Sequence, residues 1–163
     1  TIAPFNEPIQ QATLQVLEPM ALRRSHDALA QALLDGGGDD AERVARHLHA
    51  AGRADEAVEH ASAAAYAASK ALAFDHAAEL YRFALTCKPA QWSLQKKCAE
   101  ALVLAGRGAE AAPLFLAAAD GAPAVTAAGL RREAAEQYLN NGHLDRGAEL
   151  LRPQPARRLQ RGP

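Results

Sequence analysis

The sequence is poor in the residues from which β-sheets are built. Among its 163 residues are five valines, two isoleucines and eight aromatic residues. Because strands favour β-branched and aromatic side chains, this shortage argues against an all-β or an α/β fold. About half of the hydrophobic residues are alanine, and leucine, arginine and glutamate are also frequent. These are strong helix formers, so we predict an all-α protein.

Other scarcities exclude further classes of protein. Cys87 and Cys98 are too few and too far apart for a disulfide framework or a clustered zinc site, and we expect two small buried side chains. The formal net charge of -1 differs from the basic charge of nucleic-acid-binding domains. No apolar run approaches the ~20 residues that span a bilayer, and residues 1–5 do not begin a secretory signal. We therefore expect a cytoplasmic chain that contacts neither nucleic acid nor a membrane.

Glycine and proline divide the chain into helical segments. Apolar residues recur at spacings of three and four, as at Val44, Leu48 and Ala51, which is the period of an amphipathic helix. The glycine run at 36–38 ends one helix, and Asp39 or Asp40 can cap the next. Such breakers predict helices over residues 8–17, about 20–34, 41–51, 54–70, 74–87, 91–105, 108–119, 125–141 and 144–151. Each is too narrow to bury its apolar stripe alone, so we expect about seven to nine helices that pack on one another.

A repeat of 34 residues runs through the helical region. Four positions recur at this period, namely Ala77, Tyr81, Ala84 and Pro89 as Ala111, Phe115, Ala118 and Pro123. The turn sequence Gly-Arg-x-x-Glu-Ala occurs at both 52–57 and 106–111, with a looser copy at 142–147. Self-similarity at such a period predicts stacked structural repeats.

This pattern resembles the tetratricopeptide repeat, which has the same period and small residues where its two helices touch. Ala99 and Ala135 stand at the family's small position on the first helix, and Ala111 and Gly147 at that on the second. Leu72 stands where one repeat would have its turn glycine. The resemblance implies an all-α, right-handed superhelix of stacked helical hairpins, whose first helices line a concave face.

The first helices of such a stack define a candidate partner groove. The positions that the resemblance assigns to it are Ser62, Tyr66, Ser69, Lys96, Glu100, Arg132, Glu136 and Asn140. The resemblance implies that this groove binds a peptide or a helix of a partner protein. Family members that clamp a C-terminal carboxylate use Lys and Asn here, and because Glu100 and Glu136 replace that Asn, this ligand type does not fit. Other domains of the same parent chain could equally occupy the groove.

The sequence shows no arrangement of catalytic residues. Ser25, His26 and Asp27 have the residue types of a triad, but neighbours on one helix cannot converge on a substrate. His47 and His49 are two residues apart and point to different helix faces, and no metal-binding or phosphate-loop motif occurs. We therefore expect no catalytic, cofactor-binding or metal-binding residues in this chain, and no cofactor. The pairs Arg23-Arg24 and Arg131-Arg132 are interpreted as solvated helix faces or as contacts to a neighbouring domain.

Several segments resemble parts of larger signalling proteins. Residues 8–12, 17–19 and 23–30 resemble the junction after the ATPase module of signal-transduction ATPases. Residues 41–52 and 73–81 resemble the first pair and a recurring helix of the tetratricopeptide array that follows that module. Residues 131–139 and 142–145 resemble a stretch of large bacterial serine/threonine protein kinases, which carry a kinase domain, an ATPase module and such repeats. The resemblance implies that 1–20 is the tail of a preceding winged-helix/ATPase module, that 21–152 is the repeat domain, and that 153–163 is a disordered tail. Since the chain lacks an initiator Met, we expect a fragment whose parent has kinase or ATP-binding activity elsewhere.

These observations favour a non-catalytic protein–protein interaction and sensing module of a bacterial signalling protein. Two alternatives remain open: the arm of an ATP-dependent transcription activator with a C-terminal DNA-binding domain, and a free-standing helical adaptor. A reading in which these residues themselves catalyse a reaction has no motif in its favour.

Overall fold

The computed structural model describes residues 19–37 and 40–152, and this part of the chain is all-helical, without a strand. Its eight helices are α1 (Pro19–Asp35), α2 (Ala41–Ala51), α3 (Ala54–Lys70), α4 (Phe74–Cys87), α5 (Trp92–Leu104), α6 (Gly108–Gly121), α7 (Ala124–Asn140) and α8 (Leu144–Leu151). The number and bounds of these helices agree with the sequence prediction to within two residues. The predicted helix at 8–17 and the predicted tail at 153–163 lie outside the described residues.

Each helix packs against the next one along the chain within two compact units, which divide between residues 90 and 91. In unit 1, α1 packs on α2, α2 on α3, and α3 on α4. In unit 2, α5 packs on α6, α6 on α7, and α7 on α8. This arrangement of consecutive packed helices confirms the predicted fold class of stacked helical hairpins.

Four of the turns between helices share one backbone geometry. Gly52, Gly106 and Gly142 have φ values of 88°, 75° and 81°. After each, the next amide donates to the carbonyl five residues back, as Arg53 does to Leu48 at 2.9 Å. This is the Schellman arrangement, which satisfies helix-terminal carbonyls and favours glycine. The turn between α3 and α4 has the same bond, from Ala73 to Ala68 at 2.9 Å, but Leu72 occupies the left-handed position with φ 61°.

Small residues lie where helices approach most closely. Ala99, Ala111 and Ala135 are fully buried, as the repeat pattern predicts. At Gly147 even one methyl group would be too large, because its Cβ would lie 2.5 Å from Leu139 Cγ and 3.0 Å from the carbonyl oxygen of Ala135. The close approach of α7 and α8 therefore depends on glycine at this position.

The beginning of α2 and its contact with α1 are fixed by different interactions. The side chain of Asp40 accepts a hydrogen bond from the amide of Arg43 at 3.1 Å, so this residue is the predicted cap. Behind it, Ala30 of α1 is buried in a cluster with Val44, Leu48 and Ala57. This cluster anchors the first helix of unit 1 through apolar contact.

Candidate partner-binding site

The predicted groove residues of unit 1 lie on one flank of α3. Ser62, Tyr66 and Ser69 are spaced by four and three residues, which places them on the same side of a helix. The side chain of Tyr66 is 62% exposed, whereas both serines are half-buried and Ser69 donates to the carbonyl oxygen of Ala65 at 3.0 Å. This strip, called the tyrosine strip below, offers one accessible aromatic ring between small side chains.

The predicted groove residues of unit 2 form charged pairs along two helices. On α5, the Lys96 Nζ lies 3.2 Å from the Glu100 Oε1. On α7, the Arg132 Nε lies 3.6 Å from the Glu136 Oε1, and the exposed Asn140 follows one turn later. These pairs, called the charged strips below, are exposed, so each contributes little to folding stability.

An open groove lies on the other flank of α3, away from Tyr66. It has a volume of about 530 Å³. Its lining comes from the start of α2, the second half of α3 and the start of α4, and consists of Asp40, Ala41, Glu42, Ala63, Ala64, Ala67, Ala68, Ala71, Ala73, His76 and Leu80. The sequence analysis did not predict this groove. The signal that could have revealed it is the cluster of alanines on one side of α3, at 63, 64, 67 and 68.

The wall of this alanine groove carries a carboxylate that is already bonded. Glu42 Oε1 accepts from the Arg46 Nη2 at 2.8 Å, and its other oxygen lies 3.1 Å from the His76 Nε2. The groove therefore presents a small apolar floor beside charges that are largely balanced within unit 1.

The histidines of α2 point to different partners, as predicted. His47 Nδ1 lies 2.9 Å from the Nδ1 of His26 on α1. His49 Nδ1 lies 3.2 Å from the Sγ of Cys87, and its ring meets that of Phe83 edge-on. The prediction of two buried cysteines is wrong for Cys87, which is half-exposed at the end of α4, although Cys98 is buried. Burial raises the pKa of the Cys87 thiol, with an opposing hydrogen bond to Thr86, so this cysteine is not activated as a thiolate.

Ser25, His26 and Asp27, which have the residue types of a catalytic triad, each bond to a different partner rather than to one another. Ser25 donates to the carbonyl oxygen of Ala21 at 3.0 Å, His26 bonds to His47, and Asp27 binds Arg53 at 2.7 Å. In a catalytic triad the nucleophile hydrogen-bonds to the base, and the base hydrogen-bonds to the acid. The contacts of these three side chains do not form such a chain.

Within residues 19–37 and 40–152, no three His, Cys, Asp or Glu side chains lie close enough to hold a metal ion. None of the described helices combines the length and the apolar character needed to cross a membrane. No protein-family model matches the sequence, and no curated protein matches it significantly.

Proposed function

We propose that this chain is a non-catalytic protein–protein interaction module that binds a partner through exposed strips on its stacked helices. The observation that carries the proposal is the 62% exposure of Tyr66 on α3, where the small residues Ser62 and Ser69 lie beside it. Tyrosine supplies large contact area at low conformational cost and is common among residues that dominate binding energy. Packed helical hairpins hold such a ring on a rigid support, as repeat proteins commonly do.

We further propose that the module is the sensing arm of a cytoplasmic bacterial signalling protein. The support is the resemblance of residues 23–30, 73–81 and 131–145 to signal-transduction ATPases and serine/threonine protein kinases. In that setting the partner is a separate protein or another domain of the parent chain. The competing assignments are the arm of a transcription activator and a free-standing adaptor.

The complete reading frame distinguishes these settings. A kinase domain and a phosphate-loop ATPase before the chain would support the signalling arm. A helix-turn-helix domain after residue 163 would instead support the transcription activator. A reading frame that encodes this chain alone would contradict both and leave the adaptor.

Affinity capture with matched variants tests the binding surface itself. The wild-type chain, Tyr66→Ala and Lys96→Glu are used as baits in an extract of the source cells, and captured proteins are quantified. Leu144→Ala is the control, since Leu144 is 64% exposed, close to the 62% of Tyr66, and lies on α8, which carries none of the strip residues. We expect a specific partner to be lost with Tyr66→Ala and reduced with Lys96→Glu, but retained with the control. A partner retained equally by all four baits would refute the assignment of the surface.

A further inference from the structure

The two arginine pairs of the sequence have different surroundings. On α7, Arg131 lies 3.5 Å from Asp120, and Arg132 pairs with Glu136. On α1, Arg23 and Arg24 are both exposed. Among the described residues, neither of them has a carboxylate within ion-pair distance, and Arg24 contacts only the carbonyl oxygen of Met20, at 3.4 Å. The same dipeptide is therefore neutralised in unit 2 and left without a neighbouring anion in the described part of unit 1.

Arg23 and Arg24 also line a concave surface. A pocket of about 350 Å³ lies between α1 and the turn that joins α2 to α3, and its lining consists of Met20, Arg23, Arg24, Asp27, Ala51 and Arg53. Three guanidinium groups thus share one pocket with a single carboxylate. The lining has a formal net charge of +2, from three arginines against Asp27, and the Glu56 carboxylate bonded to Arg53 lowers the local charge to +1.

The third arginine is held in place by its own contacts. Arg53 donates from Nε to Glu56 Oε1 at 2.6 Å and from Nη2 to the other oxygen of the same carboxylate. Its Nη1 donates to Asp27 Oδ1 at 2.7 Å. The hydrogen bond from Arg53 lowers the pKa of Glu56, so this carboxylate stays charged near neutral pH. Because a guanidinium has five N–H donors, two remain for a ligand after these three bonds.

We propose that this pocket, called the arginine pocket, binds a phosphate group. Arg23 and Arg24 supply positive charge that no carboxylate of residues 19–37 and 40–152 pairs with, and Arg53 supplies a preoriented third guanidinium. Arginine pairs well with phosphate because its planar fork can donate two parallel bonds to one group. A phosphate monoester carries nearly two negative charges at neutral pH, and Arg23 and Arg24, which have no carboxylate partner among the described residues, offer two positive charges to it. Met20 and Ala51 offer apolar contact to the carbon atoms that bear the phosphate. The favoured source is a phosphorylated side chain of a protein.

Titration with defined probes tests this site on the full chain. The probes are inorganic phosphate and a short alanine-based peptide carrying one phosphoserine, with the unphosphorylated peptide as the negative probe. Binding is followed through the Nε–Hε resonances of the arginines. We expect saturable shifts at Arg23, Arg24 and Arg53, with the phosphopeptide binding more tightly than inorganic phosphate. Equal affinity for both would assign the site to free phosphate rather than to a protein side chain.

Two pairs of exposed arginines supply a matched set of variants. Arg23→Ala/Arg24→Ala should weaken phosphopeptide binding by at least about tenfold, whereas Arg131→Ala/Arg152→Ala removes the same charge outside the charged strips and should leave it unchanged. Both pairs are exposed, and circular dichroism checks that each double variant stays folded. An equal loss in both variants would reduce the interaction to general charge attraction and overturn the proposal. So would the absence of saturable shifts at the three arginines. Neither failure affects the tyrosine strip, which lies elsewhere on unit 1.

Discussion

Leu72 occupies a backbone conformation that costs free energy for any residue with a Cβ atom. Its φ is 61°, and the other three turns of the same hydrogen-bond pattern have glycine there. The side chain is 73% exposed, so its burial offsets little of this conformational free energy. The sequence analysis identified Leu72 as a departure from the repeat pattern. In the structure the turn has the same hydrogen bond as the glycine turns, although Leu72 must adopt a left-handed backbone conformation.

Replacing Leu72 with glycine should therefore stabilise the protein. We expect Leu72→Gly to raise the free energy of unfolding by about 1 kcal/mol, which is the lower end of the cost of a left-handed residue. Urea unfolding followed by circular dichroism measures the change. Leu104→Gly is the control, because Leu104 is also an exposed leucine but ends helix α5, where glycine destabilises. Destabilisation by Leu72→Gly would show that the side chain makes a contact that outweighs the strain.

Gly147 should be intolerant of even the smallest side chain. The Cβ of Gly147→Ala would press on Leu139 and on the carbonyl oxygen of Ala135, and overpacking of this kind costs about 1–3 kcal/mol. Gly129 provides the comparison, since it lies within α7 with open space around its Cβ position. There we expect Gly129→Ala to stabilise the helix by about 1 kcal/mol. The account of this contact is wrong if thermal unfolding shows the two variants changing stability in the same direction.

At the scale of helices, the sequence supplied most of what the structure shows. Glycine, proline and the capping Asp40 predicted the helix bounds because these residues act on their own local backbone. The pairing of His26 with His47, and the exposure of Cys87, depend on how one helix is rotated against the next. Alanine-rich faces leave that rotation open, since many of them could pack against a neighbour with similar burial. The alanine groove beside α3 was missed for the same reason.

The contact between α1 and α2 should weaken in acid. The bond between His26 and His47 requires at least one neutral imidazole as acceptor. Burial lowers the pKa of His47 from its ordinary 6.5, and the charges of His26 and Arg43 add to this effect. The unfolded chain therefore binds protons more tightly than the folded one, so stability is full above pH 6.5 and falls as the pH drops below it.

Hydrogen exchange across helix α1 measures this pH dependence. After correction for the intrinsic exchange rate, we expect protection of α1 to be lower at about pH 5 than at about pH 8. The double variant His26→Gln/His47→Gln should remove most of this pH dependence, because the side-chain amides of two glutamines can hydrogen-bond to each other and do not titrate. Asp27→Asn, which weakens the Arg53 contact instead, should lower protection about equally at both pH values. A pH dependence that persists in the histidine variant would contradict this explanation.

On the scale of the whole molecule, packing between consecutive helices suggests that damage to the core stays local. Leu48 in unit 1 and Leu102 in unit 2 are both fully buried, and truncating such a leucine to alanine costs about 2–5 kcal/mol. We expect Leu48→Ala to reduce hydrogen-exchange protection mainly in α1–α4, and Leu102→Ala mainly in α5–α8. Since repeat stability is roughly a sum over neighbouring contacts, a uniform loss throughout the chain in either variant would contradict the repeat description.

The candidate site was predictable only in part, because sequence periodicity gives the face of a helix but not what that face meets. It placed Ser62, Tyr66 and Ser69 on one flank of α3, as the structure has them. Sequence periodicity gave no sign that the basic pair at 23–24 borders a pocket, because the third arginine of that pocket, Arg53, comes from a turn about 30 residues later. Convergence of that kind depends on the packing of α1 against the next hairpin.

The most direct test of the interaction surface is photo-crosslinking from single positions. A photoreactive residue is placed in turn at Tyr66, Glu100 and Glu136 on the tyrosine and charged strips, and at Glu79 and Leu144, which are exposed on α4 and α8, helices without strip residues. The account predicts that the same partner protein is crosslinked from the strip positions, most strongly from Tyr66, and not from the two comparison positions. Crosslinks that arise only from Glu79 or Leu144, or equally from all five, would contradict it.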